Sequence, residues 1–168
     1  MGSLNYKIMD NFLKLEMFTQ LKNEIFSYNF PWFFSKNQTY TSNINDFYFA
    51  HVVYVKNKIH SHIYEKYMVD ILDKLECEAL SSIRINLLTN KGDALSSDWH
   101  TDRKYSCKTA ILYINTNNGY TLLDEEKNIK VESKENRILI FDSQIKHCAV
   151  SQTDTDQRVV INFNYFSK

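Results

Sequence analysis

Between Asn11 and about Ser27, apolar Phe12, Leu15, Phe18, Leu21 and Ile25 recur at three- and four-residue steps, the period of a helix with one buried face. Asp10 or Asn11 stands where a helix N-cap belongs. Pro31, in "NFPWFFSK", ends or turns that element. The aromatic and β-branched run "DFYFAHVVYV" (46–55) predicts a strand. A second stripe, Ile63, Tyr67, Met68, Ile71, Leu72, Leu75 and Ala79, predicts a helix from His62 to Leu80. After Leu80 the rhythm changes to short β-like runs: "SIRINLL" (82–88), "CKTAILYIN" (107–115), "GYTLL" (119–123), "IKVES" (129–133), "NRILIF" (136–141) and "RVVINFNYF" (158–166). Short strands at this spacing predict an α+β, mainly β chain: a barrel or double-sheet jelly roll braced by two N-terminal helices. Residues 1–80 then form mainly helical support and 81–168 the jelly-roll core of a single domain, with no internal repeat or linker between them.

Composition narrows the function classes. With 168 residues, 43% of them hydrophobic, the chain can bury a core without staples. Twenty basic residues balance twenty acidic ones. That argues against a nucleic-acid partner gripped over a wide face, though it leaves a local basic groove open. Cys77, Cys107 and Cys148 are odd in number and lack a CxxC pair, which reads as buried thiols in a reducing compartment. No apolar run approaches the roughly 20 residues of a membrane span, so the expectation is a soluble cytoplasmic protein without a membrane partner. The sequence leaves oligomeric state open.

The candidate chemistry begins in "SDWHTDRKYS" (97–106), where His100 and Asp102 are two apart and, in an extended chain, project from one face. Alone, an HxD pair is a weak signal. His51, His60 and His62 lie in or beside the early elements and read as core or surface histidines. His147 differs, because it follows the apolar strand "RILIF" and the polar bend "DSQIK", and Arg158 opens the next strand eleven residues later. Two imidazoles and one carboxylate would leave the opposite metal positions open, an arrangement suited to non-haem Fe(II), whereas a structural zinc more usually closes its tetrahedral shell. The planar fork of Arg158 suits a dicarboxylate whose other end reaches the metal.

These segments resemble the Fe(II)/2-oxoglutarate-dependent dioxygenases, and within them the prolyl-4-hydroxylase-like branch, over about residues 81–166. "WHTD" is similar to that family's HxD strand. "TAILYIN" is similar to the strand whose tyrosine hydrogen-bonds the oxoglutarate carboxylate. "NRILIFDSQIKH" with "RVVINFNYF" is similar to the distal-histidine strand and the arginine-bearing final strand. The resemblance implies a double-stranded β-helix of the jelly-roll or cupin-like kind. It implies metal ligands His100, Asp102 and His147, with Arg158 and Tyr113 holding 2-oxoglutarate. Fe(II), 2-oxoglutarate and O2 are the implied cofactors, with ascorbate as an auxiliary reductant.

Period-2 alternation agrees with this mapping: Arg158, Val160, Asn162 and Asn164 share one face of the last strand, and Val159, Ile161, Phe163 and Tyr165 form an apolar row on the other. Tyr113 shares a face with Cys107, Thr109, Ile111 and Asn115. Where the family often has a cosubstrate-facing tyrosine before HxD, this chain has "RINLLTNKGDALSSDWH", and Asn86 or Arg84 stands in its place. The family's glycine pair near "NTNNGYTLL" is reduced to Gly119. Cys148, beside His147, faces oppositely and reads as a packing residue, and Asp98 and Asp142 read as solvated loop residues.

The implied reaction is oxidative decarboxylation of 2-oxoglutarate to succinate and CO2, coupled to hydroxylation of a C–H bond in a peptide or protein prolyl residue or a free amino acid. Trp99 and "FPWFFS" are candidate groove residues, and "TNKGDALSSD" (89–98) is a candidate lid. Two other readings stay open. One is a nucleobase-oxidising, alkylation-repair-like dioxygenase, although the second arginine of that group has no counterpart after Arg158. The other is a non-catalytic cupin-like binding module.

Overall fold

The computed structural model describes residues 5–36 and 47–167. In chain order these form β1 (Tyr6–Met9), α1 (Leu15–Ile25), β2 (Phe33–Lys36), β3 (Phe47–Val55), β4 (Lys58–Ile59), a π-helical turn (Tyr64–Met68) leading into α2 (Val69–Lys74), and β5 (Cys77–Thr89). There follow β6 (Lys108–Tyr113), β7 (Tyr120–Leu123), β8 (Ile129–Glu132), β9 (Ile138–Asp142), β10 (His147–Val150) and β11 (Gln157–Ser167).

A large antiparallel sheet has the order β1-β9-β6-β11-β5-β3-β2, with β4 also paired to β3. A smaller sheet, β10-β7-β8, lies against it. Two isolated bridges, Ser96 with Val150 and His100 with His147, lay a ragged fourth strand beside β10. This is the jelly-roll, double-stranded β-helix architecture that the pattern predicts.

Two apolar cores follow from the alternation of the large sheet. On its outer face Ile83, Ile85, Leu112, Val159, Ile161 and Phe163 pack with Phe18, Leu21 and Ile25 of α1 and with Ile63, Met68 and Ile71 around α2. On its inner face Ile111, Tyr113, Leu139, Phe141 and Val160 meet Leu123 and Val131 of the small sheet. The second core closes one end of the space between the sheets, and the other end stays open and polar.

The helical expectations need correction. The first eighty residues are not mainly helical support: they supply β1 to β4 and the start of β5, so the large sheet draws on both halves of the chain. The first helix begins at Leu15, which is 77% exposed; Phe12 and Leu13 are buried ahead of it. Lys14 occupies the N-cap position without a side-chain cap, while Asp10 instead binds Arg137 and Lys134. The second helix stops at Lys74. Glu76 takes a positive φ of 54°, and Cys77 and Ala79 pair with the tail of β11. Strand pairing there overrides a helical apolar period. The strand expected at 46–55 is β3, and its first expected residue, 46, lies outside the described residues.

The lead-in to α1 is pinned by Asn136. Its side-chain amide accepts from Leu13 N and donates to Leu13 O, both at 2.9 Å, from a buried position with φ +57°. Asn136→Ala strands both backbone groups and puts a Cβ residue in left-handed backbone. It is expected to lose about 1–3 kcal/mol or more, and Asn136→Gly to lose less. Urea unfolding measures both, and an unchanged midpoint for the alanine variant contradicts the assignment.

Candidate metal centre and cavity

His100 and His147 are far apart in sequence but directly opposite in space. Each backbone N–H donates to the other's carbonyl, at 3.0 and 2.9 Å. A pair that exchanges both bonds puts its side chains on one face, and the two ring centroids are 4.4 Å apart. Phe141 meets the His147 ring edge-on at 4.9 Å. Contrary to the extended strand expected for the HxD pair, the two residues sit at a bridge followed by a bend.

Both imidazoles are held from behind. His100 Nδ1 lies 2.9 Å from Asp98 O, and His147 Nδ1 lies 3.2 Å from Ile145 O. A carbonyl only accepts, so each Nδ1 carries the proton and each Nε2 keeps its lone pair. Burial, and then the neighbouring His147, hold the His100 pKa below the ordinary imidazole value.

Asp102 is divided between two tasks. Oδ2 accepts from Thr109 Oγ1 at 3.0 Å and from the Nδ2 groups of Asn162 and Asn164 at 3.2 Å each. Oδ1 faces the two imidazoles, 3.5 Å from His147 Nε2 and 3.9 Å from His100 Nε2. Burial raises the carboxyl pKa, but His147, Asn162 and His100 more than offset this and leave it below the ordinary carboxylate range. One ligand atom from each of His100, Asp102 and His147 lies within 4.8 Å of the others. Among the described residues no fourth His, Cys, Asp or Glu joins the group.

These side chains line a cavity of about 270 Å³ between the sheets, with Arg158 in its wall. Arg158 is 2% exposed. Its Nε donates to Ser133 Oγ at 2.7 Å and its Nη2 to Thr121 Oγ1 at 3.1 Å, and no described carboxylate pairs with it. Burial pushes its pKa below the ordinary guanidinium value, yet arginine keeps its charge in proteins. The cavity therefore holds a buried cation with only neutral partners. Gly119 makes room for it: a Cβ there would stand 3.0 Å from Arg158 Cδ and 2.9 Å from Asn117 Oδ1.

The fully buried Tyr113 does not face the cavity directly. Its hydroxyl donates to Thr121 Oγ1 at 2.9 Å, and Thr121 is the residue in the wall. Because Thr121 accepts from both Tyr113 and Arg158, its own proton is left for a cavity acceptor. Asn86 and Arg84 both lie on the cavity face of β5, and the Asn86 amide oxygen is buried without a partner. Neither Trp99 nor "FPWFFS" lines the cavity: Trp32 packs on the outer core beside Phe30, and Tyr48 is the aromatic in the wall. The expected lid is stitched down instead, by Asn90 N to Asp156 O at 2.8 Å, Leu95 N to Ser151 Oγ at 2.9 Å and Ser97 N to Ala149 O at 2.9 Å. Cys148 is buried, as its alternation requires.

Sequence reasoning missed Thr109, Thr121, Ser133 and the part played by Asn162 and Asn164. The signal for the asparagines was present, since they interrupt the β11 face that Arg158 shares.

No protein-family model and no curated protein sequence matches the chain. Solved structures match its fold over almost its whole length. A Trichoplax adhaerens prolyl hydroxylase, in complex with a hypoxia inducible factor oxygen degradation domain peptide fragment, superposes with TM-score 0.70 at 18% identity, over 98% of this chain and 84% of that one. A Pseudomonas putida prolyl-4-hydroxylase gives 0.65 at 11%, over 99% and 94%. The non-haem α-ketoglutarate-dependent epimerase SnoN of nogalamycin biosynthesis gives 0.67 at 11%, over 98% and 79%. The chain has the fold of the prolyl hydroxylases and other 2-oxoglutarate/Fe(II) oxygenases. Among the described residues no helix is long and apolar enough to cross a membrane.

The three donors on Asp102 Oδ2 should govern metal affinity. Thr109→Val removes one at nearly constant shape and is expected to weaken divalent-metal binding roughly 10-fold, within the 10–100-fold typical of such supporting bonds. Asp102→Ala is expected to lose more. Competition of Co(II) against a chromophoric chelator reads both, and wild-type affinity in Asp102→Ala would show that these side chains hold no metal.

Proposed function

We propose that the chain is a non-haem Fe(II)- and 2-oxoglutarate-dependent dioxygenase that hydroxylates a C–H bond, with a prolyl residue of a peptide or protein, or a free amino acid, as substrate. One observation carries the reading: two tautomer-fixed imidazoles and a one-sided carboxylate converge in a cavity that also buries an arginine without a counter-charge. The donor set fits the metal. Two neutral nitrogens and one carboxylate oxygen suit Fe(II) and leave positions for a chelating cosubstrate and dioxygen. The unneutralised guanidinium fits the far carboxylate of a diacid. A non-catalytic cupin-like module gives that buried charge no partner. The peptide-bound neighbour supports a peptide substrate.

When bound, Fe(II) with 2-oxoglutarate and O2 supplies the oxidising power for C–H hydroxylation. The residues of the chain supply the geometry. His100, Asp102 and His147 would hold the metal, and Asn162, Asn164 and Thr109 occupy Asp102 Oδ2 and leave Oδ1 turned toward the imidazoles. Arg158 anchors the distal carboxylate, and Thr121 adds a hydroxyl donor that Tyr113 orients from behind. Asn86 offers an amide that no protein group uses. Val160 and Ile111 exclude water between the two polar ends.

Anaerobic addition of Fe(II) and 2-oxoglutarate is expected to give a weak visible charge-transfer band in the wild type, none in Asp102→Ala, and a higher 2-oxoglutarate requirement in Arg158→Ala. A wild type with neither band nor succinate release would overturn the proposal. Gly119→Ala, which crowds Arg158, is expected to raise the 2-oxoglutarate requirement roughly 10–100-fold. Metal affinity, read separately without cosubstrate, should stay at the wild-type value.

A further inference from the structure

The proposed reaction uses Arg158 but leaves two other guanidinium groups of the same cavity without a task. Arg84 projects from the cavity face of β5, directly opposite Asn162, whose amide holds Asp102. Its guanidinium forms no hydrogen bond or ion pair with any described residue. Arg103 follows Asp102 in the chain and is held only by neutral oxygens: Nε donates to Ser81 Oγ at 3.3 Å, Nη1 to Asp102 O at 3.1 Å, and Nη2 to Ser82 Oγ. Ser82 lies next but one to Arg84 on the same face and also lines the cavity. Among the described residues Asp102 is the only acidic side chain in the wall.

The charges of the loaded site then decide the matter. Fe(II), the Asp102 carboxylate, doubly negative 2-oxoglutarate and Arg158 cancel one another. Arg84, solvent-exposed at the rim, and the half-buried Arg103 remain as two guanidinium groups with no acidic partner among the described residues. They do not belong to the cosubstrate's distal end. Arg158 and Asn162 are four residues apart on β11, roughly 13 Å along the strand, and Arg84 stands across from Asn162, at the metal end.

Resting on the dioxygenase reading, we infer that the primary substrate carries a carboxylate close to the C–H that reacts. Arg84 receives that carboxylate as a planar fork, and Arg103, fixed by the serine hydroxyls, adds positive potential at the same rim. The carboxylate belongs either to a free amino acid or to an acidic residue beside the target in a peptide. Both present the same group to Arg84.

The test uses the full chain loaded anaerobically with Fe(II) and 2-oxoglutarate. The probes are free L-amino acids, proline among them, and end-blocked peptides with aspartate next to proline. Each is matched with its neutral partner, the amino-acid amide or the asparagine peptide. Binding is read anaerobically by saturation-transfer NMR and, after O2 is admitted, by stimulated succinate release. At least one carboxylate probe is expected to bind about tenfold or more better than its amide. Response to free amino acids or to blocked peptides identifies the source of the carboxylate. Arg84→Gln is expected to lose that preference about tenfold or more while its charge-transfer band, which reports a folded and loaded site, persists.

No preference for any carboxylate over its amide, or a preference retained in Arg84→Gln, overturns the inference. Absence of the charge-transfer band in the wild type takes down the dioxygenase reading and this one with it. A normal band without a carboxylate preference takes down this one alone.

Discussion

The reciprocal backbone pairing of His100 with His147 is the contact on which the candidate site depends. It joins the ragged segment after β5 to β10 at a position where both side chains must face the cavity. One residue of slip would turn one imidazole away. The slip is resisted on both sides. Ser97 N donates to Ala149 O and Ala149 N donates to Ser97 Oγ, while Phe141 braces the His147 ring. A side-chain hydroxyl thus replaces a ladder bond just where the register shifts between the Ser96 and His100 bridges. The two cavity-facing histidines are positioned by backbone hydrogen bonds.

The second constraint is the double character of β11. Its outward row packs into the main core, and its inward row carries Arg158, Asn162 and Asn164. Packing of the outward row immobilises the backbone, which makes the inward polar groups rigid without direct packing of their own. Rigidity matters most for the charges. Asp102 is stabilised by three neutral donors and Arg158 by two hydroxyls, so neither charge is quenched by an opposite charge from the protein alone. A carboxylate paired with lysine would be a poor metal ligand, and an arginine paired with aspartate a poor anion receptor. Burying both with neutral hydrogen bonds keeps them available, at a cost in stability that the two apolar cores offset.

Much of this was legible in the order of residues, because strands with two different faces write their pattern directly. The alternation in "RVVINFNYF" assigned every side chain of β11 to its face, and "TAILY" did the same for β6. The helices were less legible. Leu15 keeps the helical period yet faces solvent, and Ala79 keeps it within a strand, since a partner strand from the far end of the chain decides its conformation. The supporting hydroxyls of Thr121 and Ser133 were not legible. A threonine or serine in a strand looks the same whether it meets water or a guanidinium, and only the closure of one sheet over the other brings these two onto Arg158. Tyr113 shows the same limit: its face was right, but Thr121 stands between it and the cavity.

The division between rigid wall and open rim sets which cavity residues can vary alone. The inner groups are interlocked. Altering Asn164 disturbs Asp102, altering Thr121 disturbs Arg158 and Tyr113, and filling Gly119 displaces Arg158. These positions can vary only together. Arg84 and Tyr48 hold no other described side chain by a hydrogen bond or ion pair, and both stand in the wall on strands β5 and β3, toward the β2 edge of the large sheet. A residue that supports nothing else can be exchanged without disturbing the inner groups. The β3–β5 wall therefore holds the cavity residues that stand alone, and the 100–102 segment with β6, β7, β10 and β11 holds the interlocked ones. Fold likeness fixes the scaffold that holds these groups, and function has to be argued from the groups themselves.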